Sequence, residues 1–355
     1  MAPPEVILDR WVRTQLCDES EFSGYLGKLD IERVESPTFR SFLYLIQETM
    51  NEALRLEGRN ASGGVEHPPF HFDYLNVSPG ITNAHAFQHE GFSFIVVTLP
   101  MVELVWHLSQ RLSRSPLVVQ LLGLDPGTAE PDTLQGLLFQ IQFFFLVSHE
   151  YTHHIHRHCA ESQVIGVWTE FLHDATGGSI DSQAQELDAD AFAAYLVLNF
   201  FLREERRQSA LTELGRPEMR GTDGDELLLT CFFLTVLAFF CAFWRGGIDM
   251  ALVNQFRHPP PPVRIKYAVQ VAQMWCGQNG SVPQEWFSPV RFQEFFRRAA
   301  EVIGGTAGQT WDAHMSFLHS ADGAHYDRQL FEKFEAVRRN RDVTAQAAPE
   351  VEPTA

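Results

Sequence analysis

A chain of 355 residues, 45% hydrophobic and 20% charged, is long enough for one large domain or two ordinary ones and too apolar for its bulk to be disordered. Its formal net charge of −18 argues against a nucleic-acid binder, which needs a basic face, and against electrostatic docking on an anionic membrane. Twenty-nine phenylalanines give it the means to bury a large core.

The opening MAPPEVILDRW has neither the basic start nor the apolar run of a secretory signal. The five cysteines, Cys17, Cys159, Cys231, Cys241 and Cys276, are odd in number and form no CxxC pair, so they read as reduced thiols of a cytoplasmic protein. Phe42, Leu45, Ile46, Met50 and Leu54 recur at helical spacing and predict a helix over 38–57. Residues 58–70 are a loop by composition. Between 81 and 100, a β-rich run from Phe92 to Thr98 and a turn at QHEG predict a short hairpin. A helix is expected over 101–113.

Pro131 opens a long pattern that continues to His158, in which LLFQIQFFFLV (137–147) runs straight into a histidine-rich stretch. Gln140 and Gln142 count against a membrane span here, so a buried central helix is expected. Residues 173–182 form a loop, and 183–202 a helix. Further helices are expected at about 224–245, 262–276, 288–300 and 325–339. Leu227 to Trp244 is uncharged throughout, which suits either a helix buried on all sides or a short membrane anchor. The tail from Asp342 is poor in hydrophobic residues and reads as disordered. The expected fold is mainly α with a small β-hairpin or sheet, an α+β arrangement. It divides into an N-terminal helical extension (1–75), a core (76–280), a C-terminal helical part (281–340) and a tail (341–355).

Five histidines lie between His149 and His158, and His149-Glu150-Tyr151-Thr152-His153 matches HExxH. Residues i and i+4 share a helix face about 6 Å apart along the axis, so two imidazoles can converge on one Zn²⁺. The glutamate after the first histidine can then serve as general base towards a water that zinc makes acidic. His156 shares that face but lies about 10 Å along the axis from His149, a poor place for a third ligand. His154 and His158 lie off the face and read as bystanders. A metzincin would continue with glycine and histidine at positions that His156 and Cys159 occupy, which excludes that class. A carboxylate on another helix suits better. Glu186 and Asp190 are i and i+4, so Glu186 can ligate while Asp190 accepts the N–H of a ligating histidine. Asp188 is expected at the surface. Glu161, Glu170, His173 and Asp174 are weaker candidates, and an ordinary acidic helix face is the bland alternative for Glu186 and Asp190.

With Glu186, Asp190 and Ala193 forming ExxxDxxA downstream of HExxH, the chain resembles gluzincin metallopeptidases of the group that contains the CAAX prenyl proteases and HtpX, and their soluble relatives such as the phage-exclusion peptidase Lit. Asn83 to Phe87 (NAHAF) is similar to that group's substrate-side strand, and His258, Pro259 and Arg264 to its downstream His-Pro…Arg motif. The four motifs cover about 185 residues in the family's order; the flanks match nothing in it. Tyr151-Thr152 departs from the small residue usual before the second histidine. The resemblance implies a zincin-like domain of bacterial setting, a zinc ion on His149, His153 and Glu186, Glu150 as catalytic base, and a peptide or protein substrate lying along Asn83, Ala84 and His85. Oxyanion stabilisation falls to His258 or Arg264, with Tyr151 a weaker choice. Arg264 has an equal alternative as a structural ion pair with Asp190, and His258 as a plain loop residue. His85 either contacts substrate or faces solvent at a sheet edge. Two other readings stay open: a zinc-stabilised regulatory protein without turnover, and a membrane-anchored peptidase using 227–244.

Overall fold

The computed structural model describes residues 2–14, 24–60, 68–125, 130–158, 168–169, 177–243, 252–303 and 307–346. The architecture is mainly helical with one small mixed sheet. Two compact units emerge, and both are discontinuous in sequence. The first takes residues 1–104, 150–172 and 338–355, the second residues 105–149 and 173–337. These units do not follow the linear division at 75, 280 and 340.

In the first unit the strands are β1 (Tyr25–Lys28), β2 (Phe70–Val77), β3 (Ala84–His89), β4 (Phe92–Thr98) and β5 (Trp168–Thr169), in the order β1-β2-β4-β3-β5. The expected hairpin is β3–β4, antiparallel from Ala84↔Val97 to His89↔Phe92. Its two-residue turn has left-handed backbone at both positions, Glu90 at φ 44° and Gly91 at φ 81°. Arg10 donates to both Glu90 carboxylate oxygens, at 2.6 and 2.7 Å. The hairpin is only part of the sheet, since β2 runs parallel to β4 and β1 antiparallel to β2. β2 alternates apolar and polar residues from Phe70 to Tyr74, yet both of its faces are covered: Phe72, Asp73, Tyr74 and Leu75 are all buried. Residues 1–75 therefore contribute two strands and are more than a helical extension.

Helix α1 (Pro4–Thr14) begins with proline and Glu5 in its first turn and carries Arg13 in its last, as the helix dipole favours. It lays Ile7, Leu8, Trp11 and Val12 on Leu75, Val77, Phe87, Phe94 and Val96, with Trp11 stacked on Phe87 at 4.0 Å. Helix α2 (Pro37–Asn60) fills the predicted 38–57 span, but its buried stripe is shifted. Leu43, Ile46 and Leu54 are buried, whereas Leu45 is 63% exposed. Asn51 on α2 covers part of the β2 edge, donating to the Phe72 carbonyl at 2.9 Å and accepting from the Phe72 N–H at 2.8 Å.

The remaining helices are α3 (Leu99–Ser113), α4 (Pro116–Leu121), α5 (Pro131–Ile155), α6 (Ile180–Phe201), α7 (Glu204–Glu213), α8 (Gly221–Phe243), α9 (Pro261–Asn279), α10 (Pro289–Ile303), α11 (Ala307–Leu318) and α12 (Ala321–Gln346). Besides α1, the sequence reading missed α4, α7 and α11. The last helix reaches Gln346, so the first residues of the expected tail are helical; the rest lies outside the described residues. Within the second unit, Gln142 of α5 is buried and its amide is used: it donates to the Thr235 carbonyl at 3.0 Å and accepts from Ser109 at 3.2 Å. That pairing lets a polar residue sit inside the apolar helix. Helix α8 is long and apolar enough to cross a bilayer, and 78% of its most apolar window is buried. Its rings are packed by neighbours: Phe239 and Phe240 meet Phe145, while Phe233 meets Trp286, Phe292 and Phe296.

Candidate metal centre

Helix α5 is continuous from Pro131 to Ile155, so HExxH forms its last turns, and His149, Glu150 and His153 are each 1% exposed. Helix α6 starts at a capping box, in which Ser179 and Ser182 each bond the other's backbone N–H. This start places Glu186 and Asp190 on one face, both buried. The two carboxylates grip the two nitrogens of a single imidazole: His149 Nδ1 is 3.0 Å from Asp190 and His149 Nε2 is 3.1 Å from Glu186.

That arrangement suits a cation. With Nδ1 donating its proton to Asp190, Nε2 of a neutral ring carries a lone pair aimed at a carboxylate oxygen, and the two repel unless a proton or a cation lies between them. Zinc–nitrogen and zinc–oxygen bonds of about 2.0–2.2 Å at tetrahedral angles put neighbouring ligand atoms roughly 3.3 Å apart, close to the observed separation. His153 follows one turn along the same helix. His149, His153 and Glu186 make a buried group able to offer a metal three donor atoms.

The His-Pro…Arg stretch supplies partners to both α6 carboxylates. His258 Nε2 stands 3.2 Å from Glu186. Arg264, in the first turns of α9, lays its planar fork on Asp190 with bonds of 2.6 and 2.7 Å, and its guanidinium carbon sits 4.1 Å over the Phe240 ring. It is 4% exposed. Of the two roles open to Arg264 from sequence, the ion pair with Asp190 is the one formed here. Arg264 thereby reaches His149 through a shared carboxylate.

Several assignments need correcting. His158, set aside as a bystander, is buried with its Nδ1 3.0 Å from Nδ1 of His153. Arg157 is the cause: its left-handed backbone (φ 61°) ends the helix and turns His158 back. No helical projection shows this, because a non-glycine residue in that region carries no sequence signal. His154 needs no such correction; it is buried, with its Nε2 2.8 Å from the Phe94 carbonyl. Asp188, expected at the surface, is 2% exposed. Tyr151 is buried, its ring 5.0 Å from that of Phe70. Glu161, Glu170, His173 and Asp174 lie outside the described residues.

The NAHAF stretch also differs from expectation. Asn83 precedes β3, and Ala84 and His85 open it. At His85 and Ala86 the strand is paired on both sides, with β4 and with β5. β3 is therefore no free edge there, because Trp168 and Thr169 take the place a peptide would need. The His85 side chain neither faces solvent nor lies on an exposed rim. It is 1% exposed, with Nε2 2.6 Å from the Tyr25 hydroxyl. Burial holds that hydroxyl's pKa well above its ordinary value, so Tyr25 stays protonated.

Cys231, Cys241 and Cys276 are free thiols, and Cys17 and Cys159 lie outside the described residues. The chain matches no protein-family model, and no curated protein or solved structure is significantly similar to it.

Proposed function

We propose that the protein is a zinc-dependent peptidase that hydrolyses peptide bonds in a peptide or protein substrate. The observation that carries this reading is His149 held between Asp190 and Glu186, with a glutamate next to it in the chain and a second histidine one helical turn on. His149, His153 and Glu186 would hold the ion. Bound there, zinc supplies a Lewis acid and a water acidic enough to lose its proton near neutral pH.

The chain's own residues do the rest. Asp190 accepts the His149 Nδ1 proton and fixes the ring so that Nε2 is the donor atom. Arg264 balances the Asp190 charge in a buried setting, where an unpaired carboxylate would be costly. Glu150, almost completely buried, takes the proton from the attacking water and returns it to the leaving amine nitrogen. His258 would meet the developing charge on the scissile carbonyl oxygen; its side chain is 17% exposed, which supports it over the closed-off Arg264.

The test uses the purified full-length chain with zinc counted by elemental analysis and cleavage followed on an unfolded protein substrate. Glu150→Gln is expected to retain zinc and lose cleavage by a factor of about 10³ or more. Glu186→Ala is expected to lose zinc. Full cleavage by Glu150→Gln sinks the mechanism, and unchanged zinc in Glu186→Ala sinks the ligand set. A zinc-bearing wild type that cleaves nothing, with Glu150→Gln no different, favours the regulatory reading.

A further inference from the structure

His258 reaches Glu186 from the end of an irregular segment, and helix propensity does not hold such a segment in place. Residues 253–255 make a single 3-10 turn, and 256–260 have no regular structure before Pro261 opens α9. Something must fix this stretch if His258 is to stand 3.2 Å from Glu186. We infer that Gln183, one helical turn before Glu186 on α6, is a positioning residue for His258, and that Tyr326 of α12 locks it in that role. The inference rests on the zinc site proposed above, but it concerns the organisation of His258 rather than the reaction.

Gln183 is fully buried and uses its whole amide. Its Nε2 donates both hydrogens, one to the Val253 carbonyl and one to the Phe256 carbonyl, each at 2.8 Å. Its Oε1 accepts from the Tyr326 hydroxyl, which fixes which end of the amide faces the segment. A primary amide is the side chain that can donate twice and accept once in one plane. Leucine is similar in size and can do neither. Burial keeps the Tyr326 hydroxyl protonated, so that it remains a donor.

The same segment is held from the start of α6. Gly178 donates its N–H to the Gln255 carbonyl at 2.9 Å. A Cβ at Gly178 would stand 2.3 Å from the Phe256 carbonyl oxygen, so only glycine allows this approach. Around these bonds Ala184 and Leu187 of α6 pack with Val253, Phe256, Val263 and Tyr326 in one cluster. Gln183, Glu186 and Asp190 are i, i+3 and i+7 on one helix. One helix face therefore holds the segment, carries the candidate ligand and orients His149. Helix α12 has no catalytic motif of its own, yet through Tyr326 it enters the same arrangement.

The experiment compares wild type, Gln183→Leu, Tyr326→Phe, His258→Ala and the double variant Gln183→Leu/His258→Ala, each checked for folding by circular dichroism. The first readout needs neither metal nor activity. The carbethoxylation rate of His258 in metal-free protein, mapped by mass spectrometry, is expected to rise about tenfold in Gln183→Leu and severalfold in Tyr326→Phe, while that of His319 stays unchanged. The second is zinc affinity by chelator competition. His258→Ala and Gln183→Leu are each expected to weaken binding about 10-fold, and the double variant also about 10-fold, because both act through the same contact; independent effects would multiply to about 100-fold. An unchanged His258 rate in a folded Gln183→Leu, or multiplying effects on affinity, overturns the inference. A wild type that binds no zinc overturns the proposed function, and the modification rates still decide the role of Gln183.

Discussion

Asp190 is the residue on which the site turns, since it accepts from His149 and from both arms of the Arg264 fork while itself fully buried. A buried carboxylate with these partners is stable only as a set. Arg264→Met would remove both guanidinium donors from the buried Asp190 carboxylate. The expected loss is about 3–5 kcal/mol of unfolding free energy, measured by urea denaturation. A loss below about 1 kcal/mol would mean that Arg264 is not the counter-charge described. Asp190→Asn keeps the shape and removes the charge, and an outer partner of a metal-bound histidine typically contributes 10–100-fold in affinity. HExxH and ExxxD are legible in sequence because helical spacing alone puts their members on common faces. The His158 contact with His153 and the Gln183 bonds are not, because both depend on chain reversals at Arg157 and at residues 253–258.

At the scale of elements, α8 shows how composition can leave two outcomes open. An uncharged helix of this length suits a bilayer and a protein core equally. In the fold its rings are met by those of α5 and α10 within the second unit. Cys231 sits inside this packing, fully buried, and burial pushes its thiol pKa up to about 12. The thiolate is the reactive form, so Cys231 is expected to resist alkylation at pH 8 in the folded protein and to react as urea unfolds it. Peptide mapping checks this, and labelling of Cys231 at zero denaturant would show that α8 is not packed as described. The sheet is a second case. β2 alternates apolar and polar residues from Phe70 to Tyr74, but its parallel pairing with β4 has no turn between the strands to mark it, whereas the β3–β4 hairpin shows itself through its turn.

For the whole molecule, a metal that binds the native state alone adds stability by mass action, about 2.7 kcal/mol when free metal is 100 times Kd. Removing it with a chelator is expected to lower Tm, and Zn²⁺ is expected to restore it where Mg²⁺ does not, because two imidazoles and a single carboxylate suit zinc rather than a hard cation. A Tm indifferent to chelator and zinc, read by differential scanning calorimetry, counts against the site. The compact units do not follow the linear division at 75, 280 and 340. Each compact unit is assembled from separated stretches, and composition along the chain carries no record of which stretches meet.

By itself the sequence determined the mainly helical class, the helices that carry HExxH and ExxxD, and the hairpin before them, because periodicity, caps and turn residues are local properties. It also put His149, Glu186, Asp190, His258 and Arg264 on the list of candidates. Only the tertiary structure decided their pairing: Arg264 with Asp190, His258 with Glu186, His158 with His153, and His85 buried against Tyr25. Those contacts join residues far apart in sequence or turned back by irregular backbone. Their cause is the need of every buried polar group for a partner, a condition that the folded chain alone can meet.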